Sequence, residues 1–204
     1  MKNIIWFFII GMTLTACSSK TKTIEVQNEA GVIIERYVQN IETIQKEGKS
    51  EVFDDNGQLL ETAFYKNGQL HGERILYHEN GTIQATEPYE NGVFTGDFQA
   101  FYENKQLELA GKYINGKMDG EWKRYYDSGE LMEIVTFVEN EENGPFVEYY
   151  KNGKTKATGS YLEGDNEHGE LKLFDENGEL IKKMNCNKGL CQTSWTKEEN
   201  ELKI

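Results

Sequence analysis

The stretch Asp119-Gly120-Glu121-Trp122-Lys123-Arg124-Tyr125-Tyr126-Asp127-Ser128-Gly129-Glu130-Leu131, followed six residues on by Phe137, decides how the rest of the chain is read, because its pattern returns along most of the sequence. The leading glycine of each copy falls at Gly48, Gly72, Gly96, Gly120, Gly144 and Gly169, a spacing of 24 residues four times and 25 once. A fixed period of this length marks a repeat architecture, in which each unit is a small module that buries its apolar surface only against its neighbours.

Other columns keep the same phase. Five residues after each leading glycine stands an aromatic: Phe53, Tyr77, Phe101, Tyr125, Tyr149 and Phe174. Nine residues after it comes a turn residue, Gly57, Gly81, Lys105, Gly129, Gly153 and Gly178, and then an apolar residue at Leu59, Ile83, Leu107, Leu131 and Leu180, with Thr155 as the polar exception. Seventeen residues on lie Tyr65, Tyr89, Tyr113, Phe137, Tyr161 and Cys186. A second turn closes the units at Gly68, Gly92, Gly116, Asn140, Gly164 and Gly189.

Turn chemistry gives these columns a physical meaning. The pairs Asn56-Gly57, Asn80-Gly81, Asn152-Gly153 and Asn177-Gly178 tolerate the positive φ that tight hairpins need. Runs rich in Tyr, Phe, Val, Ile and Thr flank them, and such residues suit a pleated surface. Each unit is therefore predicted to be a two-stranded hairpin, and the fold class all-β, with helix expected only in the N-terminal segment.

The unit Gly120-Glu121-Trp122-Lys123-Arg124-Tyr125-Tyr126 with Ser128-Gly129-Glu130-Leu131 resembles the MORN-repeat variant of bacterial proteins, a family that includes proteins named as YwqK-like antitoxins. The resemblance covers about Gly48 to Cys191, as six copies within residues 48–192. It implies hairpins stacked into one elongated antiparallel sheet of period 24, used as a binding or spacing surface. With strands about 4.8 Å apart, each two-strand unit advances such a sheet by roughly 10 Å.

At the N-terminus, Lys2 precedes the apolar run Ile4-Ile5-Trp6-Phe7-Phe8-Ile9-Ile10. One cation, a short apolar core and small residues describe a secretory signal over residues 1–16, too short to span a bilayer. Leu14-Thr15-Ala16-Cys17 resembles the bacterial lipobox, in which the cysteine carries the lipid and becomes the new terminus. Several acyl chains on Cys17, palmitate among them, would hold the protein stably at a membrane. Ser18 and Ser19 resemble signals that direct a lipoprotein to the outer membrane, on its periplasmic side. Residues 17–25 read as a tether. Residues 26–47, around Asn28-Glu29-Ala30-Gly31-Val32-Ile33-Ile34, read either as a degenerate capping repeat or as a disordered linker.

The formal net charge is −13, and loss of Lys2 with the signal takes it to −14. Phosphate backbones would be repelled, so no nucleic-acid partner is expected. Wide contact with anionic lipid is disfavoured for the same reason. The lipid anchor, rather than the protein surface, is the expected link to the membrane.

Placing the two aromatic columns on one face makes them the packing ladder. Alternation along a strand then puts Tyr102, Tyr126 and Tyr150 on the other face, together with Phe98, Trp122 and Phe146. That stripe is the candidate contact surface for an unidentified protein partner, with cross-strand packing as its rival reading. The acidic turns holding Glu139, Glu141 and Glu142, and then Glu163, Asp165 and Glu167, read as a solvated edge that discourages sheet-to-sheet pairing, in preference to a calcium site. His71 and His168 lie four units apart along the array and His71 and His78 at opposite ends of one strand, so they are not expected to share a site, and no phosphate loop or nucleophile elbow occurs. No catalytic residue, metal or cofactor is assigned, and an enzyme is not expected.

Cys186 and Cys191 bracket the turn Asn187-Lys188-Gly189-Leu190, an even pair suited to a disulfide in an oxidising compartment, with a redox pair or two free thiols as alternatives. Residues 193–204 form an edge strand or a tail. The function expected is a membrane-anchored, non-catalytic binding or scaffold lipoprotein of the cell envelope; the alternative, resting on the resemblance, is an immunity protein or antitoxin for a cognate toxin.

Overall fold

A computed structural model describes residues 20–198. The sheet begins with β1 (Thr21–Gln27), β2 (Ile33–Asn40), β3 (Lys46–Phe53) and β4 (Leu59–Lys66). It continues through β5 (Gln69–Leu70), β6 (Gly72–Tyr77), β7 (Ile83–Glu90), β8 (Val93–Phe94), β9 (Gly96–Phe101) and β10 (Leu107–Ile114). β11 (Lys117–Tyr125), β12 (Leu131–Val138), β13 (Glu141–Tyr149) and β14 (Thr155–Tyr161) follow, and β15 (Gly169–Phe174), β16 (Leu180–Asn187) and β17 (Leu190–Thr196) close it. All pairings are antiparallel and join strands adjacent in sequence, apart from β5 with β6 and β8 with β9, which are single strands interrupted at His71 and Thr95. The result is one open meander, all-β as the repeat pattern predicts. Residues 197–198 leave it in a helical conformation.

Two kinds of turn alternate along its edges. At one edge the backbone N–H of the fourth residue bonds back to the first, as in Gly57 to Asp54, Gly81 to His78, Gly129 to Tyr126 and Gly153 to Tyr150. Only the glycine of each Asn-Gly pair there has positive φ, between 78° and 83° at Gly57, Gly81, Gly153 and Gly178. This corrects the sequence reading, which placed the tightest hairpins at those pairs. The two-residue turns with both central φ positive lie at the opposite edge, at Asn67-Gly68, Asn91-Gly92 and Asn115-Gly116. That geometry belongs to the type I′ turn, whose twist matches the strands it joins. These turns also stack: Gly68 N–H donates to Lys46 O, Gly92 to Leu70 O, Gly116 to Phe94 O, Asn140 to Met118 O and Gly189 to Glu167 O, at 2.8–3.0 Å.

The leading glycines do a different job from the one the repeat pattern suggests. Three residues of β11, 120–122, face the single Gly111 of β10, and residues 143–145 of β13 face Thr136. Gly120 (φ 77°) and Gly144 (φ 125°) sit in these bulges, where the left-handed backbone excludes most side chains. A bulge once per unit bends the strands and draws one face inward.

Two boundaries change. Thr21–Gln27 is a strand, so residues 21–25 are not a tether; Thr23, Ile24 and Val26 pair with Val38, Tyr37 and Glu35. With its turn at Asn28 and Gly31, this hairpin copies the later units, and residues 26–47 are ordered strands and turns rather than a disordered linker. At the other end Leu190–Thr196 is the edge strand.

Candidate functional site

Cross-strand register decides which side chains meet. Gly120 faces Phe137 and Trp122 faces Val135, so the position two after the leading glycine shares a face with the position seventeen after it. The buried residues Ala63, Ala85, Trp122, Val135, Phe146, Ala157 and Cys186 all belong to that face. Trp122 is 3% exposed and Phe146 4%. Ring centroids run in file from Tyr89 to Phe94 (5.1 Å), Phe94 to Tyr113 (3.9 Å), Tyr113 to Trp122 (5.2 Å) and Trp122 to Phe137 (6.1 Å), with Phe98 5.7 Å from Trp122. Phe146 stacks on Tyr161 at 4.4 Å.

The aromatic ladder is therefore not the one the sequence suggested. Phe98, Trp122 and Phe146 are its rungs and cannot serve as an outward contact stripe. Phe53, from the column expected to share the ladder, lies instead under the Arg36 guanidinium at 5.7 Å, on the opposite face. Counting alternation along one strand missed this, because the register across the pair sets which columns meet. Two glycines complete the fit: a Cβ on Gly111 would lie 2.2 Å from the Trp122 ring, and one on Gly159 2.6 Å from Phe146.

Tyr102, Tyr126 and Tyr150 are half-buried and tie units together. Their hydroxyls donate to the carbonyls of Tyr125, Tyr149 and Phe174, each at 2.8 Å. His78 Nε2 makes the equivalent contact with Phe101 O, also at 2.8 Å. Beside them Asn80, Asn104 and Asn152 donate to Glu103, Asp127 and Glu176 carbonyls of the next turn. Six residues singled out for recognition thus hold the array to itself.

The charged groups form layers. Arg74 donates to Glu61 at 2.6 Å and Glu87 at 2.9 Å, and both carboxylates push its pKa up against the opposing effect of burial. Arg36 joins Glu25 (2.9 Å) and Glu51 (3.3 Å) on the other face. Hydrogen bonding by Lys49, with help from Arg36, holds the Glu51 carboxyl below the usual range. Farther along, Glu133 and Glu142 line a small cavity of about 70 Å³ with Leu109, Met118, Trp122 and Phe137. Burial raises both carboxyl pKa values, only loosely opposed by Arg124, 4.0 Å from Glu133. Burial and the acids Glu142 and Glu133 push the Tyr161 phenol up to about 12. The Arg74 layer escaped the sequence reading, although Arg74 is the one charged residue in a column otherwise filled by Ser50, Phe98, Trp122, Phe146 and Leu171.

Cys186 and Cys191 are directly opposed across β16 and β17 and joined by a disulfide. Cys17, and residues 1–16 read above as a secretory signal, lie outside the described residues. In the acidic edge, Glu139 pairs with Lys117 and Glu163 with Lys188. Among the described residues no three His, Cys, Asp or Glu side chains are placed to hold a metal ion.

Against this geometry, the model of the MORN repeat variant matches residues 46–67, 70–91, 118–139, 142–163 and 167–186, together more than half of the chain. Residues 94–115 form the same hairpin without matching it. No curated protein is similar at a significant level. Among solved structures, the Photorhabdus luminescens Tc holotoxin pore is 8% identical, with 87% of this chain and 11% of that one covered and a TM-score of 0.25. A porin-like protein from Bacteroides uniformis is 9% identical over 85% of this chain and 92% of its own, with a TM-score of 0.22. The TcdB2-TccC3 structure is 13% identical over 85% and 13%, with a TM-score of 0.18. This chain thus spans little more than a tenth of the first and third of these chains, and likenesses this faint carry no argument about fold or activity.

Proposed function

This chain belongs to the MORN repeat variant family, whose repeats suggest a binding or scaffold role, and we propose that it is a lipid-anchored, non-catalytic envelope scaffold that holds a protein partner. The observation that carries this reading is the division of the sheet into two unlike faces. One is occupied by its own aromatic file. The other presents a shallow groove of about 450 Å³ whose rim alternates Asp97, Gln99, Lys112, Asp119, Glu121 and Lys123. An alternating polar rim fixes register and partner choice more than raw affinity. The anchor rests on Leu14-Thr15-Ala16-Cys17.

Two measurements test the two halves of the reading. Cys17→Ala is expected to move the protein from the membrane fraction to the soluble fraction; unchanged retention would reject the anchor. A photo-crosslinking residue at Lys123, in intact envelopes, is expected to capture a discrete protein that the same probe at the opposite-face Glu148 does not. Capture at neither position rejects the surface. The alternative of an immunity protein draws support from the net charge of −13, which suits a cationic toxin. Protection of cells from the product of an adjacent toxin gene would favour it.

A further inference from the structure

The row of first-edge turns contains one departure that the fold does not need. Its left-handed position holds glycine at Gly31, Gly57, Gly81, Gly129, Gly153 and Gly178, and Lys105 in the third unit, at φ 71°. A side chain in that conformation is strained, and strain that neighbouring copies avoid points to a role for the side chain. Lys105 borders a cavity of about 350 Å³ between the second and third turns, lined otherwise by Gly81, Thr82, Ile83 and Phe101. Ile83 is 40% exposed at its wall, an apolar side chain left open although the neighbouring strand carries Phe101. Lys105 has no ion pair among the described residues. The hairpin that carries it, residues 94–115, is also the one that departs from the family pattern.

From this combination we propose that the cleft between the second and third turns is a binding site for a small apolar carboxylate, its hydrocarbon against Ile83 and Phe101 and its anion on the Lys105 ammonium. The volume lies at the lower end of the range for ligand pockets, about 300–1,000 Å³. An apolar wall with one charged group at its mouth fixes both the class of ligand and its orientation. The net charge of −13 disfavours anions in general, and the exposed Glu79 and Glu103 of the same turns oppose one here. Lys105 therefore supplies the attraction at this mouth.

The test uses the lipid-free mature protein and isothermal titration with decanoate, decanol and decyltrimethylammonium. Decanoate is expected to bind the native protein at least tenfold more tightly than either of the others. Lys105→Gly should bind decanoate roughly tenfold more weakly, as loss of a charge-assisted hydrogen bond implies, while melting at a higher temperature because the strain is gone. Ile83→Glu should abolish binding of decanoate and decanol alike. Native-strength binding by Lys105→Gly, equal binding of decanol, or no decanoate binding to the native protein at millimolar concentration each overturns the proposal. Since Lys105→Gly is expected to fold more stably, loss of binding in it cannot be ascribed to unfolding.

Discussion

Arg74 and Trp122 occupy the same position in two units 48 residues apart, and their surroundings have nothing chemical in common. Arg74 sits between Glu61 and Glu87, a layer of charge with its side chain 29% exposed. Trp122 sits between Phe98, Tyr113 and Phe137, over the bare backbone of Gly111. Yet the strand pairing and the turns around the two follow one plan, although the strand of Arg74 is interrupted at His71 where β11 runs unbroken. What the units share is backbone: a left-handed bulge glycine, a type I′ turn, and a hydrogen bond from each turn to the one before. The layer of side chains between them is interchangeable, within the limit that each must fill its own space.

The largest expected effect lies on the aromatic side. Trp122→Ala removes a buried indole and leaves a void over Gly111, at a cost of about 3–5 kcal/mol, read as a fall in the urea midpoint. Arg74→Ala, by contrast, loses about 1.5–3 kcal/mol, in line with hydrogen bonds to charged groups, and the loss should shrink in high salt. Equal losses for the two would break the contrast.

A transplant sharpens it. Glu61→Ala, Arg74→Phe and Glu87→Gly together copy the layer made by Ala85, Phe98 and Gly111 one unit later. Replacing a buried ion layer by packed apolar groups is commonly neutral or stabilising, so the triple variant should stay folded, within about 1 kcal/mol of the native protein or above it. Collapse of its circular dichroism would show that the layers are not exchangeable.

The smallest effect is in pH. Glu133 and Glu142 have pKa values raised above the ordinary 4.5, so their folded forms hold a proton more tightly than the unfolded chain. Their contribution is full at acid pH and is lost as pH rises through the raised values. Glu51 is shifted the other way, and its contribution disappears only as pH falls below 4.5. Acidification from neutral to just above 4.5 should therefore strengthen the aromatic half while leaving the N-terminal half unchanged. Glu133→Gln should raise the melting temperature at pH 7 and flatten the gain; an unaltered pH profile would count against burial as the cause. At the alkaline end, the Tyr161 phenol, pushed up to about 12, gives stability that persists to pH 10 and is lost toward 12.

Much of this architecture is legible in the residues, because glycine and asparagine mark places where the backbone turns left-handed whatever the packing. The six leading glycines gave the period and the hairpin count. Their cause, a bulge, is invisible until two strands are aligned. For the same reason the sequence pairs one ladder column with the wrong partner: the Tyr65-type column does belong to the ladder, but it meets the Trp122 column through cross-strand pairing, which alternation along one strand does not encode. Residues 21–25 read as part of a tether because Thr-Lys-Thr is polar, although Ile24, with Val26 beyond it, gives an edge strand's alternation. Among the candidate residues, the sequence marks Tyr102, Tyr126 and Tyr150 only as aromatic rings, since a hydroxyl reaching 23 or 24 residues ahead to a carbonyl leaves no mark in composition.

The Cys186–Cys191 bond gives the ribbon unequal ends under load. In a meander each strand held by its terminus peels from its neighbour one hydrogen bond at a time, a low-force path. At the C-terminal end that rupture stops at Cys191, so the last hairpin must detach whole, by stripping β16 from β15. The strand β1 has no such rivet, and tension applied across the two ends of the sheet would open the molecule from β1 inward.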